Sequence, residues 1–154
     1  MPKLVGVLFF VSVFGLVSCS SVQTSGPVNN SITTVFTAVE KAMSMGIHHR
    51  SVNQREFYSR PFLIRQDEKL SKSGLRERGL AKVIVLGESR PYTLEVEVKI
   101  ERTKVKRPLN ELVDADYAFQ RYDERLASKL LNSILTIIEK GERDKNVIDD
   151  FRPF

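Results

Sequence analysis

One cysteine and two adjacent histidines are the residues whose chemistry could mark a functional site in this sequence. Cys19 is the only cysteine among the 154 residues, so the chain cannot form an internal disulfide. A lone cysteine is either a structural thiol or the acceptor of a covalent modification, and its surroundings in the chain decide between the two. His48 and His49 have no cysteine or carboxylate close by in sequence, whereas a metal site needs three or four ligands at set spacing. We therefore expect solvated loop histidines and neither a metal nor another cofactor.

Local motifs for catalysis are also missing. No serine stands in a Gly-x-Ser-x-Gly turn, and no glycine-rich phosphate loop opens a helix after a strand. A triad assembled from distant residues would leave no such local pattern. The sequence predicts a protein that is not an enzyme and has no catalytic residue.

The segment before Cys19 has the order of a secretory signal peptide. Lys3 supplies a basic start, and an almost unbroken apolar run over residues 4–17 precedes small residues. A run of about 14 residues is shorter than the roughly 20 that a helix needs to cross a bilayer. We therefore predict a signal peptide over residues 1–18 and not a transmembrane anchor.

The end of this segment resembles the lipobox of bacterial lipoproteins. Its residues are Leu16, Val17, Ser18 and Cys19. The resemblance implies cleavage before Cys19, which then carries a diacylglyceryl thioether and, in most such proteins, an acyl group such as palmitate on its amine. Two or more acyl chains hold a protein firmly on a membrane, whereas one chain does so only marginally. The alternatives are an ordinary signal peptide with an incidental cysteine, or a buried structural thiol.

Ser20 bears on which membrane is expected. In the lipoproteins that the sequence resembles, an aspartate after the cysteine commonly holds the protein at the inner membrane of a Gram-negative cell. Ser20 instead favours the outer membrane, with the domain facing the periplasm. Residues 20–30 are uncharged and rich in serine, asparagine, glycine and proline, so residues 19–30 are predicted to be a lipidated flexible tether.

The remaining residues, 31–154, have the size of a single domain. Apolar residues recur at steps of three and four over residues 31–45 and 123–140, which predicts two amphipathic helices. Gly46 and Gly141 follow these segments as expected helix stops.

Three strands are predicted between the helices, over residues 55–65, 80–86 and 92–103. Pro61 has no amide proton, so the first strand requires an edge position or a bulge. The second strand is apolar on both faces and is expected in the centre, whereas the third alternates apolar with polar residues. The order predicts an α+β fold, namely a two-layer sandwich in which a three-stranded antiparallel meander carries two helices on one face.

Charge is distributed unevenly along this domain. Residues 50–107 hold 15 lysines and arginines against 8 acidic residues, whereas residues 108–154 hold 7 against 10. A solvated surface of mixed sign explains most such imbalances, but a basic half can also attract an anionic headgroup or an acidic partner. Nucleic acid is not an expected partner, because the chain is exported. The candidate surface for an anionic ligand or a partner lies in two predicted loops, over residues 66–78 and 104–116. It consists of Lys69, Lys72, Arg76, Arg78, Lys104, Lys106 and Arg107.

The second strand leaves one set of apolar side chains facing outward. The two sets are Ala81, Val83 and Val85 on one face, and Leu80, Ile84 and Leu86 on the other. Since a monomer rarely leaves such a patch bare, we expect either the C-terminal tail or a partner protein to cover it. The tail, residues 142–154, is expected to pack partly on the domain. Its alternative role is docking to a partner through Phe151, Arg152 and Phe154.

Taken together, these features predict an outer-membrane-anchored, periplasm-facing lipoprotein. We expect it to act as a non-enzymatic accessory or scaffold subunit of a cell-envelope assembly, with the membrane and an envelope protein as partners. The alternative is a binding module for an anionic envelope glycolipid or phospholipid headgroup, which would use the basic half of the sheet.

Overall fold

An antiparallel sheet and two helices make up the fold. The computed structural model describes residues 21–64 and 72–149, with side chains described in 21–64 and 72–141. In chain order its elements are β1 (Gln23–Thr24), α1 (Ile32–Ala42), β2 (Ile47–Arg50), β3 (Glu56–Ser59), β4 (Phe62–Leu63), β5 (Glu77–Leu86), β6 (Thr93–Thr103), the 3-10 helices Leu109–Glu111 and Asp114–Asp116, β7 (Tyr117–Tyr122) and α2 (Glu124–Asp149). The prediction of a mixed fold with an antiparallel sheet and two helices is confirmed.

The sheet has seven strands in the described part of the chain, and not the three of the predicted meander. Its order is β1-β6-β5-β3-β2, with β4 paired to β5 beyond β3 and β7 paired to β6 beyond β1. The β5–β6 hairpin is the longest pairing and runs from Glu77 opposite Arg102 to Leu86 opposite Thr93. The four short strands β1, β2, β4 and β7 extend this hairpin and β3 along their edges.

One hydrophobic core joins both helices to the inner face of the sheet. Alternate residues of β5 and β6 are buried, as expected for strands with one covered face. The apolar sides of α1 and α2 contribute to the same cluster. Its members from these four elements include Val35, Ala38, Val39, Ala81, Val83, Val85, Leu94, Val96, Val98, Ile100, Ala127, Leu130, Leu131, Ile134 and Ile138.

The strand predicted over residues 55–65 is interrupted at Pro61. Phe57 and Tyr58 of β3 pair with β5, and pairing resumes with Phe62 opposite Gly79 in β4. Between these two segments the hydroxyl of Ser59 accepts the amide proton of Ala81 at 2.8 Å. The side chain therefore replaces a main-chain acceptor where the ladder is broken, which is the irregularity that proline requires.

Part of the predicted tether belongs to the sheet. Gln23 and Thr24 pair with Val96 and Glu95, and Val28 forms a further bridge to Tyr92 and is only 6% exposed. The prediction of a flexible tether is therefore wrong for these residues, because their backbone bonds to the edge of β6 override a composition typical of linkers. Only three residues, 20–22, separate Cys19 from the first strand in sequence.

Helix α2 is longer than the sequence predicts. Asp123 caps its start by accepting the amide proton of Leu126 at 3.0 Å. The helix then continues through Gly141 to Asp149, so residues 142–149 of the predicted tail are helical. Glycine inside a helix costs only about 1 kcal/mol relative to alanine, and Gly141 does not end this one. No helix in the described residues is long and apolar enough to cross a membrane.

Candidate functional site

Several of the basic residues predicted as a candidate surface converge at one end of the β5–β6 hairpin. The carbonyl of Arg76 accepts the amide proton of Thr103 at 2.9 Å, which places Arg76 beside Lys104. The side chain of Lys106 lies along Gly74, with Cδ 3.7 Å from the position that a Cβ would occupy there. Arg76, Lys104 and Lys106 are exposed, and no acidic side chain of the described residues forms an ion pair with them. We call these three residues the basic end.

The other predicted members of the surface differ among themselves. Lys72 is exposed and lies two residues before Gly74, close to the basic end in sequence. Arg107 is exposed and lies 3.9 Å from the carboxylate of Asp116, so its charge is partly balanced. Lys69 lies outside the described residues.

Arg78 has a structural environment and is not part of the basic end. Its guanidinium bonds Glu101 at 2.8 and 2.9 Å and Asp114 at 2.6 Å, and its side chain is only 12% exposed. The same guanidinium lies 3.8 Å from the ring centre of Tyr117 in β7. Burial would lower the pKa of Arg78, but the bonds to Asp114 and Glu101 outweigh it and raise that pKa. Arg78 thus links β5, β6 and the segment before β7, and we leave it out of the candidate surface.

Two carboxylates at this end of the sheet are buried and paired with cations. Glu77, on the inner face, accepts hydrogen bonds from Arg102 at 2.7 Å and from Arg121 at 3.1 Å. Glu101, on the outer face, is bound by Arg78 and by Lys99 at 2.7 Å. Burial acts to raise the pKa of both carboxyl groups, but the bonds from these cations prevail and hold each pKa below its ordinary value. Both acids therefore stay ionised at neutral pH.

The outward apolar set of the central strand is Leu80, Ile84 and Leu86. Their counterparts Ala81, Val83 and Val85 are buried, whereas Leu80 and Ile84 are half-buried and Leu86 is 41% exposed. A shallow cavity of about 310 Å³ opens on this outer face beside Leu80 and is lined by His48, Tyr58, Ser59, Leu80, Ala81, Lys82, Glu97 and Lys99. Phe151, Arg152 and Phe154 of the predicted docking tail lie outside the described residues, so covering of this face by the tail stays a prediction.

The two histidines lie on a strand and not on the loop that the sequence predicts. His48 and His49 belong to β2, and the ring of His49 lies 5.8 Å from that of Tyr58 on β3. Pairing with β3 orders this segment directly after the turn at Gly46. Within residues 21–64 and 72–149, no three potential metal ligands come together.

A further cavity of about 250 Å³ lies between the two helices. Apolar side chains of Met45, Phe62, Leu126 and Leu130 contribute to its walls, and Lys129 also lines it. It resembles a gap in the packing between the end of α1 and the start of α2 more than a site with convergent polar groups.

Sequence reasoning missed an exposed aromatic pair on β7. Phe119 and Tyr122 are 49% and 42% exposed, and their ring centres are 5.0 Å apart. The ammonium of Lys99 lies 6.0 Å from the ring centre of Phe119. Three aromatic residues within six positions, starting at Tyr117, favour a strand and could have revealed β7.

Residues just before β7 add apolar surface at this edge of the sheet. Leu109 and Val113, in and beside the 3-10 helices, are 46% and 58% exposed.

Comparison with known proteins does not assign a function to these surfaces. No protein-family model matches the chain, and no curated protein is significantly similar to it in sequence.

Proposed function

We propose that this chain is a lipoprotein anchored through Cys19 to the outer membrane of a Gram-negative cell, with its domain facing the periplasm. In this proposal it acts as a non-enzymatic accessory or scaffold subunit of a cell-envelope assembly. Its fold is a two-layer α+β sandwich, in which β3, β5 and β6 form the central meander and both helices cover one face. The proposal rests on the resemblance of Leu16-Val17-Ser18-Cys19 to a lipobox.

The observation that carries the proposal furthest is the short distance between Cys19 and the sheet. Gln23 already pairs with Val96, and four residues of extended chain span at most about 14 Å. A lipid on Cys19 would hold the domain directly at the membrane surface. A protein held in this way is suited to contact other components at that surface, and a reach across the periplasm would need a longer tether.

Fractionation and cross-linking in a Gram-negative cell test the proposal. The wild-type chain should sediment with the outer membrane and cross-link to an envelope protein, whereas Cys19→Ala should lose both properties. Ser133→Ala, at an exposed position of α2, is a control that leaves the lipobox intact and should behave as wild type. Recovery of the wild-type chain in the soluble periplasmic fraction would argue against the anchor.

A second candidate function is binding of an anionic headgroup at the basic end. Three exposed cations that flank the open end of the hairpin, Arg76 before β5 and Lys104 and Lys106 after β6, support it. Such a cluster can attract phosphate groups of a phospholipid or glycolipid, and the attraction weakens as salt is added.

Charge reversal separates this candidate from a merely solvated surface. The lipidated chain in detergent should be retained on beads carrying phosphatidylglycerol or lipopolysaccharide, and Lys104→Glu with Lys106→Glu should remove the retention. Lys129→Glu with Lys140→Glu changes the same charge on α2 and is the matched control. Equal retention of both double variants would reject the basic end as the binding site.

A further inference from the structure

The exposed aromatic pair of β7 lies close to the start of β1, which is the strand nearest to Cys19 in the sequence. Tyr122 is opposite Lys99 and Gln23 is opposite Val96, and both strands lie on the same side of β6. Three residues of an antiparallel strand span about 10 Å. The start of β1 and the end of β7 are therefore neighbours along one edge of the sheet.

The reach of the chain restricts how far this edge can lie from a membrane that holds Cys19. Cys19 precedes Gln23 by four residues, which is at most about 14 Å. The headgroup layer of one leaflet is roughly 5 to 8 Å thick. An acylated Cys19 consequently brings the β1–β7 edge to the headgroups or within a few residues' length of them.

The side chains at this edge match the chemistry of a membrane interface. Tyrosine and other amphipathic aromatic residues favour the headgroup level, where the ring is shielded and its polar end stays hydrated. The rings of Phe119 and Tyr122 contact each other at a tilt of 55° and are exposed, and Lys99 lies over the ring of Phe119. Lys104 follows one residue after the end of β6, so the basic end borders the same surface.

The two buried carboxylates nearest to β7 add no unpaired negative charge to this edge. Glu77 and Glu101, the buried carboxylates nearest to β7, each bind two cations. The exposed cations of the basic end are thus left to interact with anionic headgroups, and each basic residue near an anionic surface contributes about 1 kcal/mol to attraction.

We propose that Phe119 and Tyr122, with Lys99 and the basic end, form a membrane-docking surface for the leaflet that holds the lipid on Cys19. This inference rests on the proposed function, because it needs the lipid on Cys19, and it deepens it by fixing which side of the domain faces the bilayer. The opposite edge of the sheet, formed by β2, then faces away from the membrane and is left accessible to proteins.

Tryptophan fluorescence tests the docking surface, since the chain contains no tryptophan of its own. The lipidated full chain carrying Phe119→Trp is reconstituted into vesicles of phosphatidylethanolamine and phosphatidylglycerol, some with brominated acyl chains that quench nearby indoles. Val52→Trp is the matched control, because Val52 is fully exposed in the turn between β2 and β3. We expect strong loss of emission for Phe119→Trp and little for Val52→Trp. Tyr122→Trp should give the same loss as Phe119→Trp.

The outcomes separate the docking surface from the anchor. Mass spectrometry of the N-terminal peptide is measured on the same samples. A lipid on Cys19 with no more quenching at position 119 than at position 52 overturns the docking surface and leaves the anchor intact. Cross-linking of β7 to a second copy or to another protein, without quenching, overturns it as well. An unmodified Cys19 overturns both proposals.

Discussion

Phe62 and Gly79 face each other across the β4–β5 pair, and a Cβ added to Gly79 would lie 2.5 Å from Cε2 of Phe62. The ring of Phe62 therefore occupies the space that a side chain at position 79 would need. We predict that Gly79→Ala destabilises the domain by about 1 to 3 kcal/mol, because the half-buried ring must shift from its place against the core. Thermal unfolding followed by circular dichroism measures the change.

A double-mutant cycle tests whether the contact with Phe62 causes this loss. In the Phe62→Leu background, Gly79→Ala should cost less than in the wild type, since the displaced ring is gone. Gly26→Ala is the control, because nothing lies within 4 Å of its Cβ position. An equal cost of Gly79→Ala in both backgrounds would attribute the loss to the backbone and not to the ring.

Ser59→Ala should also destabilise the domain. The substitution removes the acceptor of the Ala81 amide proton at the break between β3 and β4 and leaves a buried donor without a partner. The expected loss is about 1 to 3 kcal/mol in a urea unfolding experiment. Ser133→Ala, at an exposed position of α2, should stay within about 0.5 kcal/mol of the wild type. A loss no larger than that of Ser133→Ala would mean that water replaces the Ser59 hydroxyl.

Glu77 should make the stability of the domain depend on acid pH. Its pKa is held below the ordinary value of about 4.3, since bonds from Arg121 and Arg102 outweigh the effect of burial. A carboxyl group whose pKa is lowered by folding stabilises the fold above its unfolded pKa, and this stabilisation is lost as the pH falls through the folded pKa. Glu77→Gln should therefore lower the unfolding free energy at neutral pH, and its difference from wild type should shrink below about pH 4. A difference that is constant from pH 7 to pH 3 would contradict this role, because the carboxyl group of an unfolded chain titrates within that interval, at about pH 4.

Substitution by methionine should destabilise the domain at Arg78 but not at Arg76. Arg78→Met removes the bonds to Glu101 and Asp114 and should cost about 2 to 3 kcal/mol. Arg76→Met should leave stability within about 0.5 kcal/mol, because its side chain is exposed. Chemical unfolding measures both, and retention on anionic lipid beads should fall for Arg76→Met. Equal stability of the two variants would show that the Arg78 network is not a structural element.

The β5–β6 hairpin could be predicted from sequence because its signal is local. Residues 93–103 alternate apolar and polar side chains, and a strand with one covered face produces this pattern directly. The short strand β1 could not be found in this way. Gln23 and Thr24 form only a two-residue strand, and their pairing depends on the exposed edge of β6 rather than on their own propensity.

The candidate surface also has one part that could be predicted from sequence and one part that could not. Arg76 and Lys104 lie at the ends of adjacent strands, so their proximity follows from the hairpin register. The environment of Arg78 does not follow from sequence, because Asp114 reaches it through the segment that folds into 3-10 helices before β7. The end of α2 could not be predicted either. Glycine often follows the end of a helix, but α2 continues through Gly141 to Asp149, because one glycine costs a helix only about 1 kcal/mol.

The chemical state of Cys19 tests the central claim most directly. The protein is expressed in a Gram-negative cell with its own signal peptide and purified from the outer membrane, and its N-terminal peptide is analysed by mass spectrometry. We predict a peptide that begins at Cys19 and carries the mass of a diacylglyceryl group with an additional acyl chain. A peptide that begins elsewhere, or an unmodified Cys19 in a soluble periplasmic protein, would contradict the account.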